Sequence, residues 1–147
     1  MTTVEFSHAV SLPVDADTAF WDLLDPAHVP EYDPDFRSWE PRDWPPVVGT
    51  LVDFEARYGR VWAEGTSRFE VVDPPRTVEL ALVRPPTPVR SRLVWSFQPA
   101  DGGCVFAYRF EASAPPGLGW LARRVLALAT DGMADKLDRL PERYGPV

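Results

Sequence analysis

The chain has 147 residues, a formal net charge of −7 and 45% hydrophobic residues. This length suits one domain with its own core, so we expect a single domain over residues 1–147. The acidic balance argues against a nucleic-acid partner, because phosphate binding needs clustered Lys and Arg. No apolar run approaches the roughly 18 residues of a membrane-spanning helix, so no membrane span is expected.

The amino-terminal residues and the cysteine content both predict a cytoplasmic protein. Met1 to His8 lack the basic and apolar segments of a secretory signal peptide. Cys104 is the single cysteine, which excludes an internal disulfide framework and fits a reducing compartment.

The first forty residues predict a strand, one or two short helices and a second strand. Apolar and polar residues alternate from Val4 to Leu12, which is typical of a strand. After Pro13, Asp15 is a suitable N-cap for a helix over 16–24. Another helical turn is predicted within 27–32, and 36–40 predicts a short strand.

From about residue 50 to residue 114, the apolar period changes to two, which predicts antiparallel strands. Turn-forming residues divide this stretch at Gly59, at Asp73 to Arg76, at Pro85 to Pro88 and at Ala100 to Gly103. The predicted strands are 50–58, 61–72, 77–83, 89–97 and 104–112.

The stretch from Pro116 to Tyr144 predicts a single long amphipathic helix. Its apolar residues recur every three or four positions: Leu118, Leu121, Val125, Leu128, Leu137 and Leu140. Gly132 interrupts this stripe, and a glycine weakens a helix interior by about 1 kcal/mol. Because Met packs adaptably, Met133 is expected to lie where a ligand fits against the helix. The whole order predicts an α+β fold with this helix buried against one face of the sheet.

Several motifs follow one another in an order that is known from one superfamily. They are His8 to Trp21, Leu24-Asp25-Pro26 with Tyr32-Asp33-Pro34, Val48-Gly49-Thr50, and Phe97-Gln98-Pro99 with Gly102-Gly103. Together they resemble the START-like, Bet v 1-like superfamily, and more narrowly its polyketide cyclase/dehydrase-like branch. The resemblance implies a helix-grip fold, in which a curved antiparallel sheet of about six to seven strands wraps around a long C-terminal helix. It also implies a pocket between the sheet and the helix.

Strand phase predicts which side chains line that pocket, because the more apolar phase should face the helix. In the strand 61–72, this phase is expected to run unbroken from Val61 to Val71. The ligand-binding candidates are Phe54, Ser67, Phe69, Ser91, Trp95 and Phe110, with Met133 from the helix. No Asp, Glu, Lys or Arg falls in this phase of the main strands. The expected partner is therefore a small hydrophobic or aromatic ligand.

Three residues are candidates for acid–base chemistry: His8, Tyr58 and Tyr108. His8 lies in the apolar phase of the first strand, either as a general acid or base or as a structural histidine bonded to backbone. In aromatase/cyclases, the resemblance implies a Tyr and an Arg that orient or enolise a polyketide inside the cavity. Tyr58 or Tyr108 suits the Tyr role, whereas the strand arginines fall in outward phases.

Two further features stay open at this point. The cluster Glu31-Tyr32-Asp33-Asp35 is either a set of acids at the pocket mouth or a solvated turn. Trp39, Trp44 and Trp62 fall in loops or outward phases, where they form a lid, a dimer patch or ordinary packing.

The sequence therefore favours a binding or carrier domain for a small hydrophobic ligand. The first alternative is a polyketide cyclase, aromatase or dehydratase, and the second is a protein-interaction domain that uses its tryptophans. A homodimer is compatible with each of these functions. No His or Cys spacing suits a metal and no Gly-rich phosphate loop occurs, so neither a metal nor a cofactor is expected.

Overall fold

The computed structural model describes residues 1–145, which form one antiparallel sheet and a set of helices. The seven strands are β1 (Thr2–Leu12), β2 (Phe36–Pro41), β3 (Leu51–Tyr58), β4 (Val61–Asp73), β5 (Thr77–Arg84), β6 (Arg90–Ala100) and β7 (Gly103–Ala114). Their order across the sheet is β1-β7-β6-β5-β4-β3-β2, so β1 and β2 lie at opposite edges. The predicted α+β class and strand number are confirmed.

The helices are α1 (Ala16–Leu24), α2 (Val29–Tyr32), α3 (Gly119–Ala129) and α4 (Met133–Arg139), followed by a 3₁₀ turn (Leu140–Tyr144). The cap predicted for α1 is present, since the backbone N–H of Thr18 donates to Oδ1 of Asp15 at 2.7 Å. We call the face of the sheet that these helices cover the inner face. No helix within residues 1–145 is long and apolar enough to cross a membrane.

The C-terminal helix is broken, whereas the sequence predicts one continuous helix from Pro116 to Tyr144. The break lies at residues 130–132, where Gly132 adopts a left-handed conformation with φ of 67°. The side chain of Thr130 also donates to the carbonyl of Leu126 at 2.7 Å, at the end of α3. Thr, Asp and Gly are poor helix formers, and a left-handed Gly is a common helix terminator. The break lets α3 and α4 pack on different parts of the sheet.

Strand β4 departs from the unbroken phase that its sequence predicts. Its pairing with β5 shifts register between Thr66 and Ser67 and again between Phe69 and Val71. An extra residue in one strand turns the following side chains over to the opposite face. Val72 therefore packs against the core, and the inward assignment of Val71 is wrong.

A dense aromatic core fills the inner face beside α1. Phe20 and Leu23 of α1 and Phe97 of β6 are fully buried. The ring of Phe20 meets that of Phe97 edge-on with centroids 5.5 Å apart, and Phe97 stacks on Phe106 at 5.0 Å. This packing fills the inner face around Phe97 of β6 and Phe106 of β7, and the candidate site lies at other positions of the sheet.

Candidate functional site

A cavity of about 380 Å³ lies between the inner face and α3. This volume is within the roughly 300–1,000 Å³ that is usual for small-molecule sites. Most of its wall is apolar, and strands β2 to β7 contribute most of the residues. The wall residues include Asp33, Phe36, Trp39, Phe54, Tyr58, Ala63, Glu64, Gly65, Ser67, Ser91, Trp95, Phe110, Val125 and Leu128.

The cavity exists because small side chains of the inner face lie opposite a helix that packs mainly on other strands. α3 packs mainly against β1 and β7, and Ala122 is its one fully buried residue. Only Val125 and Leu128 of α3 reach the wall opposite β3 and β4. Gly65 of β4 leaves room for the ring of Phe54, since a Cβ at Gly65 would lie 2.5 Å from Phe54 Cζ. No side chain therefore fills the space above this part of the sheet.

Six of the residues proposed from the sequence lie in the cavity wall: Phe54, Tyr58, Ser67, Ser91, Trp95 and Phe110. The other candidates lie outside it. Phe69 is fully buried in the aromatic core, edge-on to Trp39 at 6.2 Å. Met133 of α4 and Tyr108 of β7 are also buried in that core rather than in the wall.

His8 lies under α4, away from the cavity wall. Its Nε2 is 2.7 Å from Oδ1 of Asp138, and 29% of its side chain is exposed. The histidine is therefore held by a carboxylate of the C-terminal segment, not by the backbone groups that the structural alternative invoked.

The three tryptophans left open by the sequence occupy three different environments. Trp39 is buried and lines the cavity, so the loop or outward position predicted for it is wrong. Trp62 stacks under the guanidinium of Arg37 at 3.8 Å. Trp44 is 47% exposed and meets Trp21 edge-on at 6.1 Å. Of the three, only Trp44 presents a large exposed apolar surface.

Asp33 and Asp35 of the acidic cluster are joined to α4 by Lys136, and Asp33 is also part of the cavity wall. Nζ of Lys136 lies 2.8 Å from Oδ1 of Asp33 and 2.7 Å from Oδ2 of Asp35. Arg57 of β3 also donates to Oδ1 of Asp35, at 2.6 Å from Nη2. Burial alone would raise the pKa of Asp35, but the hydrogen bonds from Lys136 and Arg57 outweigh it and hold that pKa below its ordinary value. Asp33 is buried and lines the cavity, so the solvated-turn alternative is wrong for this residue.

Sequence reasoning missed this ion-pair network because its members are far apart in the chain. About a hundred residues separate Asp33 from Lys136, and no local periodicity links them. One signal was available, namely that Lys136 is the single lysine among 15 basic residues.

The hydroxyls near the cavity are neutral hydrogen-bonding groups. Burial raises the pKa of Tyr58. Burial, then the nearby Asp33 and Tyr58, raise the pKa of Tyr108 far above its ordinary value. The indole N–H of Trp95 is buried and finds no acceptor within residues 1–145. The wall can thus donate hydrogen bonds without supplying a positive charge of its own.

Metal binding finds no support in the side-chain arrangement. Within residues 1–145, no group of three or more His, Cys, Asp or Glu side chains is placed to hold a metal ion.

Comparison with known proteins identifies one family and several similar folds. The family model described as polyketide cyclase / dehydrase and lipid transport matches residues 3–145. No curated protein matches the sequence.

Three similar solved structures each share less than 25% of their residues with this chain, so they show the fold alone. The Zhui aromatase/cyclase from Streptomyces sp. R1128 is 16% identical with a TM-score of 0.74, covering 99% of this chain and 100% of that one. Norcoclaurine synthase from Thalictrum flavum, as a point mutant with a transition-state analogue, is 19% identical with a TM-score of 0.71, covering 99% and 98%. The di-domain aromatase/cyclase BexL of the BE-7585A biosynthetic pathway is 15% identical with a TM-score of 0.77. The match covers 99% of this chain but only 51% of BexL, so the chain spans about half of that protein. The helix-grip fold expected from the sequence is confirmed.

Proposed function

Because the chain belongs to the polyketide cyclase / dehydrase and lipid transport family, we propose that it binds one small, mainly apolar and aromatic molecule in the cavity. Family membership supports a hydrophobic ligand-binding or a cyclase role. We infer that binding is the primary function, and that any reaction depends on it.

The observation that carries this proposal is the composition of the cavity wall. Phe36, Trp39, Phe54, Trp95 and Phe110 bring five aromatic rings to one cavity. Aromatic side chains bury large areas and prefer offset or edge-on contacts with other rings. Burial of apolar ligand surface stabilises a complex by about 25 cal/mol per Å². A flat aromatic molecule would therefore gain most from this wall.

A pair of serines on β6 allows a matched test. Ser91 lines the cavity, whereas Ser96 of the same strand belongs to a shallow depression on the outer face. Ser91→Phe should fill the cavity with a ring, and Ser96→Phe adds the same ring outside it. Naphthalene is a suitable probe, and its binding can be followed by the change in tryptophan fluorescence.

Wild type and Ser96→Phe should bind naphthalene with similar affinity, and Ser91→Phe should lose at least about tenfold, since a fully occupied site leaves no apolar surface to bury. Thermal unfolding of both variants verifies that they are folded. Equal affinities in all three proteins would show that naphthalene binds elsewhere and would contradict the proposal.

The second candidate is a cyclase, aromatase or dehydratase, and the hydroxyl of Tyr58 in the wall favours it. A cavity that holds a flexible chain in one folded conformation removes part of the entropic barrier to ring closure. Tyr58 would then donate a hydrogen bond to a developing enolate. Tyr108 and His8 remain candidates from the sequence. His8 is held by Asp138 outside the cavity wall, so any effect on the reaction would be indirect.

Turnover measured apart from binding tests this candidate. A synthetic poly-β-keto thioester is the substrate, and mass spectrometry detects loss of water and ring formation. Tyr58→Phe should lower turnover at least about tenfold while naphthalene still binds, because only a proton donor is removed. Unchanged turnover in Tyr58→Phe would remove this hydroxyl from the reaction, and His8→Ala tests the histidine in the same way.

A further inference from the structure

One buried carboxylate interrupts the apolar wall of the cavity. Asp33 and Glu64 are the two acidic residues in the wall, but Glu64 is exposed, whereas Asp33 is only 9% exposed. A buried carboxylate normally has several hydrogen-bond donors around it. The donors of Asp33 are therefore informative about what else can bind there.

The two oxygens of Asp33 differ in their partners. Oδ1 accepts from Nζ of Lys136 at 2.8 Å and from the backbone N–H of Asp35 at 3.1 Å. Oδ2 accepts no hydrogen bond from any group within residues 1–145. An ionised carboxylate has about four acceptor positions, so Asp33 retains capacity for another donor.

The charges around Asp33 restrict what this donor can be. Lys136 also pairs with Asp35, and Asp35 pairs with Arg57, so two carboxylates face two cations. This network is neutral as a whole. A ligand ammonium would add an unbalanced buried charge, and a ligand carboxylate would lie beside Asp33 with the same sign. A neutral hydroxyl disturbs the balance least.

One other polar group of the wall also lacks a protein partner. Trp95 is 8% exposed and lines the same wall, and its indole N–H donates to no acceptor within residues 1–145. Buried polar groups without partners are rare in folded proteins. The Nε1 atom of Trp95 is enclosed by protein, so the free acceptor capacity of Asp33 is what the wall offers to a ligand.

We propose that Asp33 accepts a hydrogen bond from a neutral hydroxyl of the ligand, and that this hydroxyl belongs to a phenol or an enol, because the rest of the wall is apolar and aromatic. This inference rests on the proposed function, because it requires a ligand in the cavity. It adds that the ligand is a hydroxyaryl compound or a related enol, rather than a plain hydrocarbon, an amine or an acid. It also assigns the recognition of that hydroxyl to Asp33.

Four probes with one ring system separate these ligand classes: naphthalene, 2-naphthol, 2-naphthylmethylamine and 2-naphthoic acid. Their dissociation constants are measured at neutral pH by calorimetry. On the wild-type protein, 2-naphthol should bind at least about tenfold tighter than naphthalene, which is typical of a hydrogen bond to a charged group. The amine and the acid should bind less tightly than 2-naphthol.

Two isosteric variants locate the effect. Asp33→Asn should reduce the preference for 2-naphthol over naphthalene to within about threefold, because a neutral amide is the weaker acceptor. Asp35→Asn removes a carboxylate from the same lysine but lies outside the wall, so it should retain the preference. Naphthalene binding by both variants verifies that the cavity is intact.

The outcomes distinguish a failure of the proposed function from a failure of this inference alone. Failure of all four probes to bind the wild-type protein would overturn both the proposed function and this inference. Binding of naphthalene without a preference for 2-naphthol would overturn this inference alone. Tightest binding by the amine would also overturn it, as would an equal loss of preference in Asp33→Asn and Asp35→Asn.

Discussion

Two parts of the inner face are packed in opposite ways. Under α1, the fully buried Phe20 packs against Phe97 of β6, which stacks on Phe106 of β7. At other positions of β2 to β7, those that line the cavity, only Val125 and Leu128 of α3 reach across, and about 380 Å³ remains open. We call these the packed half and the cavity half. Both halves of the inner face are apolar, so the difference arises from the helix side chains that pack against them.

This contrast separates two uses of hydrophobic residues. In the packed half, aromatic rings contact one another and stabilise the folded chain. In the cavity half, comparable rings surround small residues such as Gly65 and Ser91 and keep part of their surface for a ligand. Substitutions in the packed half should therefore change stability most, and those in the cavity half should change binding most.

The largest stability effect is expected from Phe20→Ala. Removal of a fully buried ring should lower the free energy of unfolding by about 3–5 kcal/mol. Phe110→Ala, at the cavity wall, should cost less than half as much, because this side is already open. Urea denaturation with a constant slope measures both. Equal losses would show that the two halves are packed alike.

The next effect concerns the ion pair that joins α1 to the C-terminal turn. Arg143 donates to both oxygens of Asp22 at 2.8 and 3.0 Å, and the hydroxyl of Tyr144 donates to the same carboxylate at 2.7 Å. Arg143→Met should lower the free energy of unfolding by about 2–4 kcal/mol, because it removes two hydrogen bonds from a half-buried carboxylate. Naphthalene should still bind the folded protein.

The same carboxylate gives a pH dependence with a defined sign. The hydrogen bonds from Arg143 are the largest influence on the pKa of Asp22. Together with the hydrogen bond from Tyr144, they lower this pKa despite the burial of the carboxylate. The unfolded chain then binds more protons than the folded one, so this contribution is present above the ordinary Asp pKa of about 4 and is lost as the pH falls further. Asp22→Asn should flatten the stability curve below about pH 4. A curve that keeps its wild-type slope there would exclude Asp22 as the cause.

A smaller change in stability with a larger change in binding is expected from Gly65→Ala. The new Cβ would lie 2.5 Å from Phe54 Cζ, so the ring must move, and the open cavity gives it room. The free energy of unfolding should fall by about 1–2 kcal/mol, the lower part of the range for overpacking. Naphthalene affinity should fall at least about tenfold, because the displaced ring occupies the site. Unchanged affinity would mean that the ring moves away from the cavity.

The smallest effect is expected from Ser67→Ala. Ser67 lines the cavity, and its hydroxyl makes no hydrogen bond within residues 1–145. The free energy of unfolding should change by no more than about 0.5 kcal/mol, as for substitutions away from specific contacts. Naphthalene affinity should stay within about threefold, since little apolar surface changes. A large loss in either measurement would reveal a structural role for this hydroxyl.

Local signals in the sequence were sufficient to predict most of the fold. Asp15 and Pro13 placed α1 at its observed bounds, and the turn residues Asp101-Gly102 placed the last hairpin. The break between α3 and α4 was also signalled, by Thr130-Asp131-Gly132. The break was not predicted because the apolar stripe continues after it, at Leu137.

Long-range features could not be obtained in this way. The register shifts of β4 depend on how it pairs with β5, and they decide which of Val71 and Val72 faces the core. The network of Asp33 and Lys136 depends on the folded arrangement of elements about a hundred residues apart. The cavity itself depends on the position of α3, which alternating strands do not determine.

A crystal structure of the complex with 1-bromonaphthalene is the most direct test that the cavity half holds an aromatic ligand. The anomalous signal of bromine locates the probe without reference to the rest of the density. We expect one bromine peak inside the cavity, among Phe54, Trp95 and Phe110. Bromine found only at the exposed Trp44, with the cavity closed or filled by water, would contradict the division into a packed half and a cavity half.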